Sequence, residues 1–185
     1  MSEPISALNH ASFDGFAKIR EIGPLGMISL RAKTDLPGLA AAVQAATGCD
    51  LPLQRRIVTL GANAAGWMSP DEYLLILPYA QTAAAMVALA EALDEKHHLA
   101  VVVSDARAVF RIEGDKAAQV IAKLCPVDLE TLAPQELRRT RAAQVAAAFW
   151  QDGDGFTLIC FRSVAGYVFD LLRHSALHGS ELTNS

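Results

Sequence analysis

The sequence predicts an α+β fold in which a β-α-β unit occurs twice, the two copies packing as one pseudo-symmetric body. Three observations predict it. Short apolar runs bounded by Gly, Pro, Asn and Asp interleave with alanine-rich stretches of helical periodicity. The same order of elements then repeats in the second half of the chain. The offset between the copies is nearly constant: 83 from Trp67 to Trp150, from Asp71 to Asp154 and from Tyr73 to Phe156, 82 from Leu30 to Ile112, and 76 from Cys49 to Cys125. Two copies are too few for a solenoid, so each must bury its apolar face against the rest of a single body.

Residues 1–15, with Pro4 and Gly15, are polar and mixed and read as a flexible arm. An extended segment runs from Phe16 to Gly23-Pro24, and Gly26–Ala32 alternates apolar and polar like a half-buried strand. Thr34-Asp35 is a helix N-cap signal. Leu36, Leu39, Ala40 and Val43 follow at helical spacing until Gly48 ends the run. Arg56–Leu60 is a short strand closed by a turn at Gly61–Asn63. Ser69–Glu72 is a turn cluster, and Tyr73–Leu77 is an apolar strand stopped by Pro78. Residues 80–94 read as a helix with Met86, Ala90 and Leu93 on one face, and Leu99–Val103 as the next strand.

The second copy opens with Ala108–Glu113, which alternates like Gly26–Ala32. A helix capped at Gly114-Asp115 follows, carrying Ala117, Val120, Ile121 and Leu124. Cys125–Leu129 closes it, and a loop with Pro134 leads into residues 141–150. Asp152–Gly155 is a turn, Phe156–Phe161 a strand, and Ser163 the cap of a last helix with Val164, Val168, Leu171 and Leu172 on one face. The organisation expected is an arm (1–15), one duplicated domain (16–175, halves 16–98 and 99–175) and a flexible tail (176–185).

At 185 residues such a domain buries roughly 70% of its unfolded surface and needs no staple. The net charge of −4 and scattered basic residues exclude a nucleic-acid surface. The N-terminus lacks the features of a secretory signal, and no apolar run reaches the roughly 18 residues of a membrane span. Cys49, Cys125 and Cys160 are odd in number and far apart, as expected of buried small hydrophobes in a reducing, cytoplasmic compartment.

No stretch carries a recognisable catalytic, cofactor or metal motif. Gly23–Gly26 precedes a strand and lacks phosphate-loop spacing, so it reads as a turn. Asp152–Gly155 resembles the start of a calcium loop, but position 12 falls on Ser163, and a hairpin turn is the better reading. His174 and His178 are four apart near the end of the last helix with no third ligand. His97-His98, at a helix-strand junction, suit a contact with the helix C-terminal dipole. Arg138, Arg139 and Arg141, with Arg107 and Arg111, form the notable basic cluster. It is either a solvated edge paired to Glu113, Glu130 or Glu136, or a docking surface for an acidic partner face or for a polyglutamylated or phosphorylated ligand, with Arg107, Arg138, Arg139 and Arg141 as its interface residues. Trp67 and Trp150 read as a duplicated structural pair.

Several segments together resemble the γ subunit of heterotetrameric sarcosine oxidase. In the second half these are Ser104–Leu129, Arg139–Arg141, Phe149-Trp150 and Phe161–Ser163. In the first half they are Leu25–Arg31 and Gly66–Leu75. The resemblance spans about residues 22–173, and the same segments are more distantly similar to the folate-binding domain of glycine-cleavage T-like proteins. It implies duplicated units with exchanged first strands, and a structural subunit of the complex that oxidatively demethylates sarcosine to glycine. It also implies that this chain is itself non-catalytic and cofactor-free. FAD, FMN, NAD, tetrahydrofolate and zinc would sit on the α, β and δ partner subunits, with α the main contact. The competing expectation is a free-standing tetrahydrofolate-binding protein, which would need a carboxylate and a stacking aromatic inside one cleft.

Overall fold

A computed structural model describes residues 4–182. Two compact units emerge, one of residues 1–24 with 106–185 and one of residues 25–105. Among the described residues no helix is long and apolar enough to cross a membrane.

The unit of residues 25–105 is contiguous in sequence. It holds β3 (Gly26–Arg31), α1 (Leu39–Thr47), β4 (Ile57–Leu60), β5 (Asn63–Ser69), β6 (Glu72–Leu77), α2 (Thr82–Ala92) and β7 (Leu99–Val102). Its antiparallel sheet has the order β4-β5-β6-β3-β7. The other unit contributes β1 (Ser12–Asp14), β2 (Lys18–Ile22), β8 (Arg107–Glu113), α3 (Ala117–Leu124), β9 (Leu137–Ala142), β10 (Val145–Asp152), β11 (Gly155–Phe161) and α4 (Ala165–Ser175). Its antiparallel sheet has the order β1-β2-β8-β11-β10-β9.

The two orders are the same list twice: β7-β3-β6-β5-β4 and β2-β8-β11-β10-β9, with β1 added outside β2. The strand preceding the first copy, β2, pairs with β8 of the second, while β7, preceding the second copy, pairs with β3 of the first. First strands are therefore exchanged.

Each sheet buries one face under its two helices. In the contiguous unit Ile28, Leu30, Tyr73, Leu75 and Leu77 meet Leu39, Val43, Ala85, Leu89 and Leu93. In the other, Ile19, Phe110, Ile112, Phe149, Phe156 and Leu158 meet Val120, Ile121, Val168 and Leu172. Phe149 packs edge-on to Phe156 at 6.0 Å, and Phe110 stacks with Phe169 at 6.2 Å. Burial of this apolar surface is the main force holding each layer pair together.

Several local readings change. Helix α1 starts after Gly38 rather than at Thr34-Asp35, because Gly38 adopts φ +86 and keeps the preceding residues out of the helix. Gly48 ends it as expected, in the left-handed conformation (φ +76), its N–H donating to the Gln44 carbonyl at 2.7 Å. Helix α2 buries Thr82, Ala85 and Leu89, followed by Leu93, while Ala90 is exposed. Nearly every position of that helix is apolar, so periodicity does not distinguish the face expected through Met86, Ala90 and Leu93 from the one actually buried. Residues 12–14, read as part of an arm, form β1, and residues 63–69, whose Ala and Gly carry little strand preference, form β5. The two tryptophans are not equivalent. Trp67 packs toward the helices, whereas Trp150 pairs with Thr157 on the sheet face away from them. A register shift between Trp67 and Ser69 separates the two copies here.

Candidate functional site

A concavity lies where β3 leaves its sheet, beside the start of β7. It is an open cleft of about 390 Å³ lined by Arg31, Ala32, Lys33, Asp71, His97, His98 and Leu99. Its walls are set by the backbone. Ala32 N–H donates to the Asp71 carbonyl at 3.1 Å, and the Thr34 hydroxyl to the Pro70 carbonyl at 2.8 Å. The Tyr73 hydroxyl bonds Thr34 Oγ1 at 3.2 Å, tying this corner to the buried ring of Tyr73. Asp71 accepts from the Ser69 hydroxyl at 3.0 Å, and Arg31 sits 3.7 Å from Glu72. Lys96 Nζ donates to the Ala92 carbonyl at 2.9 Å, so a lysine caps the C-terminus of α2. His97 and His98, assigned that role from sequence, line the cleft instead, with His98 Nδ1 2.9 Å from the Lys96 carbonyl.

Two cations and one carboxylate around an open mouth can hold a carboxylate-bearing group by charge. The mouth is too wide to exclude water, and no hydroxyl or thiol side chain lines it. No Phe, Tyr or Trp lines it either, so the cleft lacks the large aromatic face on which a pterin would stack.

The sequence-predicted interface arginines separate into two sets. β9 alternates, and its register on β10 sets Arg138 opposite Phe149, on the helix-covered face, where its Nε lies 2.6 Å from buried Glu136. Arg139 and Arg141 share the other face. Across the sheet, Arg141 pairs with Ala146 on β10, and Phe161, on β11, pairs with Arg107. The Arg107 guanidinium lies 4.2 Å over the ring of Phe161, which is 46% exposed. Arg107, Phe161, Arg139 and Arg141 thus lie on one face of one sheet.

Other charged groups are spent within the fold. Arg111 faces the Asp152–Gly155 hairpin, bonding the Asp152 carbonyl and lying 3.4 Å from Asp154 Oδ1, so the acidic turn is neutralised from inside the chain. Arg20 grips Glu113 with two hydrogen bonds, Nε to Oε2 at 2.9 Å and Nη2 to Oε1, which hold the Glu113 carboxyl below the usual carboxylate range. Burial pushes the thiols of Cys125 and Cys160 up to about 12, and all three cysteines are free and buried. His174 lies in the last turn of α4 and His178 beyond its end; both are exposed. No group of three or more His, Cys, Asp or Glu side chains is placed to hold a metal among the described residues.

Sequence reasoning missed Glu21. Its side chain is 3% exposed in β2, and its carboxylate accepts from the Ser6 hydroxyl (2.9 Å), Leu8 N–H (3.0 Å) and His10 N–H (2.9 Å). Arg162 holds the same segment, donating to the carbonyls of Ile5 (2.9 Å) and Ser6 (3.1 Å). The signal was one acid in the otherwise apolar and basic run Lys18–Ile22.

The sarcosine oxidase, gamma subunit family model matches residues 31–177. The chain belongs to that family. It is 31% identical to sarcosine oxidase subunit gamma of Corynebacterium sp. (strain P-1) over 80% of this chain and 73% of that protein. It is 32% identical to the Arthrobacter sp. subunit over 80% and 73%. Among solved structures it is similar to a chain of the heterotetrameric sarcosine oxidase of Corynebacterium sp. U-96. There the TM-score is 0.80 at 26% identity, covering 91% of this chain and 88% of that one. The glycine cleavage aminomethyltransferase T of Bartonella henselae shares the fold alone, with a TM-score of 0.61 at 15% identity over 82% of this chain and 44% of that one.

Proposed function

We propose that this gamma-family chain is a non-catalytic subunit that holds a cytoplasmic heterotetrameric sarcosine oxidase together. The observation carrying this is the match to a heterotetrameric sarcosine oxidase chain along nearly the whole fold, at a TM-score of 0.80. The chemistry of the described residues supports it. The cysteines are buried, the acidic hairpin is neutralised, and the cleft beside β7 is an open charge pocket with no hydroxyl or thiol side chain in its lining. Oxidative demethylation, with its flavin, nicotinamide, folate and zinc groups, then belongs to the α, β and δ partners. The three unpaired cysteines support a reducing compartment.

Arg107, Arg139 and Arg141 around exposed Phe161 form the face proposed to meet an acidic surface of α. Arginine and aromatic residues together are typical of interface centres, where few residues carry most of the binding energy. Arg138 supports this face from behind through Glu136. The test is co-expression with the other three subunits followed by size-exclusion chromatography. This chain is expected to travel with the flavin absorbance, and R107E/R141E to lose it. Consistent separation of the wild-type chain from the flavin overturns the reading.

A further inference from the structure

The two copies differ at one edge. Outside β2 lies β1, paired through Ser12–Arg20, Phe13–Ile19 and Asp14–Lys18. The counterpart of β2 is β7, and it ends its sheet with no strand beyond it among the described residues. The register makes the correspondence residue by residue. Ile19 pairs with Ile112 and Ala100 with Leu30, while Lys18 pairs with Glu113 and Leu99 with Arg31. Ala100 therefore stands where Ile19 stands, and Leu99 where Lys18 stands.

The outer edge of β7 is built to receive a strand. Val103 N–H donates to the Met27 carbonyl at 2.8 Å. Bonded and non-bonded pairs alternate along an antiparallel ladder, so Val101 and Leu99 turn their backbone groups toward β3. The N–H and C=O of Ala100 and Val102 then point outward. Leu99, Val101 and Val102 are 56%, 43% and 45% exposed. An apolar edge without charge or proline is what solitary proteins avoid, because it templates pairing with another chain. One edge strand of the other sheet, β9, shows the usual protection, with Arg138, Arg139 and Arg141 along it.

The occupant's chemistry can be read from β1. Phe13, opposite Ile19, packs against the core of its unit, so the residue opposite Ala100 should be bulky and apolar. Asp14 lies opposite Lys18 with an ion pair of 3.9 Å. The corresponding position faces Leu99, at the mouth of the cleft holding Arg31, Lys33, His97 and His98, with Asp71 its single acid. Resting on the reading of this chain as an assembly subunit, we infer that β7 docks an extended segment of another subunit. That segment adds an antiparallel strand to the sheet, with an apolar residue against Ala100 and a carboxylate reaching the Arg31/Lys33 cleft.

The test assembles this chain with the remaining subunits of the complex and compares wild type with A100P, V101E and K33E. A100P removes an N–H that β3 does not use, V101E puts a charge on an exposed edge side chain, and K33E reverses the cleft. T59E, at an exposed position of β4 on the opposite edge of the same sheet, is the control. Thermal melts of each chain alone report folding. A100P and V101E should weaken assembly at least about tenfold, and K33E should do so more at low salt than at high salt. Residue-resolved hydrogen exchange should show Ala100 and Val102 amides fast in the free chain and protected in the complex, with Leu99 and Val101 slow in both. Undiminished assembly of folded A100P and V101E overturns the inference and leaves the subunit reading intact, as does loss in T59E equal to theirs. Self-association of the chain through this edge, abolished by A100P, overturns the choice of another subunit as occupant. Failure of wild type to assemble at all sinks the subunit reading itself.

Discussion

Replacing Glu21 by Gln should release the N-terminal segment. The Glu21 carboxylate, 3% exposed, is the shared acceptor for three donors on residues 6–10. Hydrogen bonds to a charged acceptor contribute about 1.5–3 kcal/mol each, a gross total of roughly 4–9 kcal/mol. Gln keeps one acceptor oxygen and turns an NH₂ toward the same donors. The net loss is smaller than the gross figure, because residues 6–10 can detach and recover water. What detachment gives up is the β1–β2 ladder and the partial burial of Ala7, Leu8 and Phe13 against the core. A net cost of about 2–4 kcal/mol is expected, the range of a broken buried network. At about 2–4 °C per kcal/mol for a chain of this size, Tm by calorimetry should fall by roughly 4–16 °C. Hydrogen exchange at Leu8 and His10 should accelerate together. A Tm within about 1 °C of wild type, with unchanged exchange at both amides, would refute the argument.

Two further outcomes follow from the titrating groups. The hydrogen bonds from Arg20 lower the Glu113 pKa in the folded state, so Glu113 adds stability above the ordinary carboxylate range and loses it as pH falls through its lowered value. The stability difference between wild type and E113Q should thus be present at neutral pH and vanish in acid, as read by urea melts across pH; a constant difference rejects the linkage. Cys125 and Cys160, pushed to about 12 by burial, should resist alkylation at neutral pH until the chain unfolds. Rapid labelling of either thiol in the native chain, followed by mass spectrometry, contradicts that.

What the sequence disclosed tracks how strongly each element depends on its own residues. Tyr73–Leu77 and Phe156–Phe161 were legible because fully buried central strands are continuous apolar runs. Gly48 was legible as a helix stop because its left-handed backbone favours glycine. β5 was not, since Asn63–Ser69 forms a strand only through its ladders with β4 and β6. Glu21 and its donors lie 11 to 15 residues apart and meet only through tertiary structure. The arginine cluster was visible as composition, but assigning Arg138 to one face and Arg139 and Arg141 to the other required the β9–β10 register. The cleft was invisible for the same reason, because Arg31, Asp71 and His98 come from three separated segments.

The exchange of first strands decides where the chain can be cut. A division at 98/99 follows the sequence repeat, yet it leaves fragment 16–98 with β2 but without β8, and with β3 deprived of β7. Fragment 99–175 likewise carries β7 without β3 and loses β2 from the edge of β8. Each fragment would expose an apolar strand edge and part of a core that includes Ala100 or Ile19. Residues 25–105 instead contain every strand of one sheet together with α1 and α2. That fragment should therefore melt cooperatively by circular dichroism, while 16–98 should not. A cooperative transition for 16–98 with none for 25–105 would mean that β7 contributes little to its sheet. The open edge of β7 could then not organise a docking site, so this fragment pair also tests the foundation of the strand-addition inference.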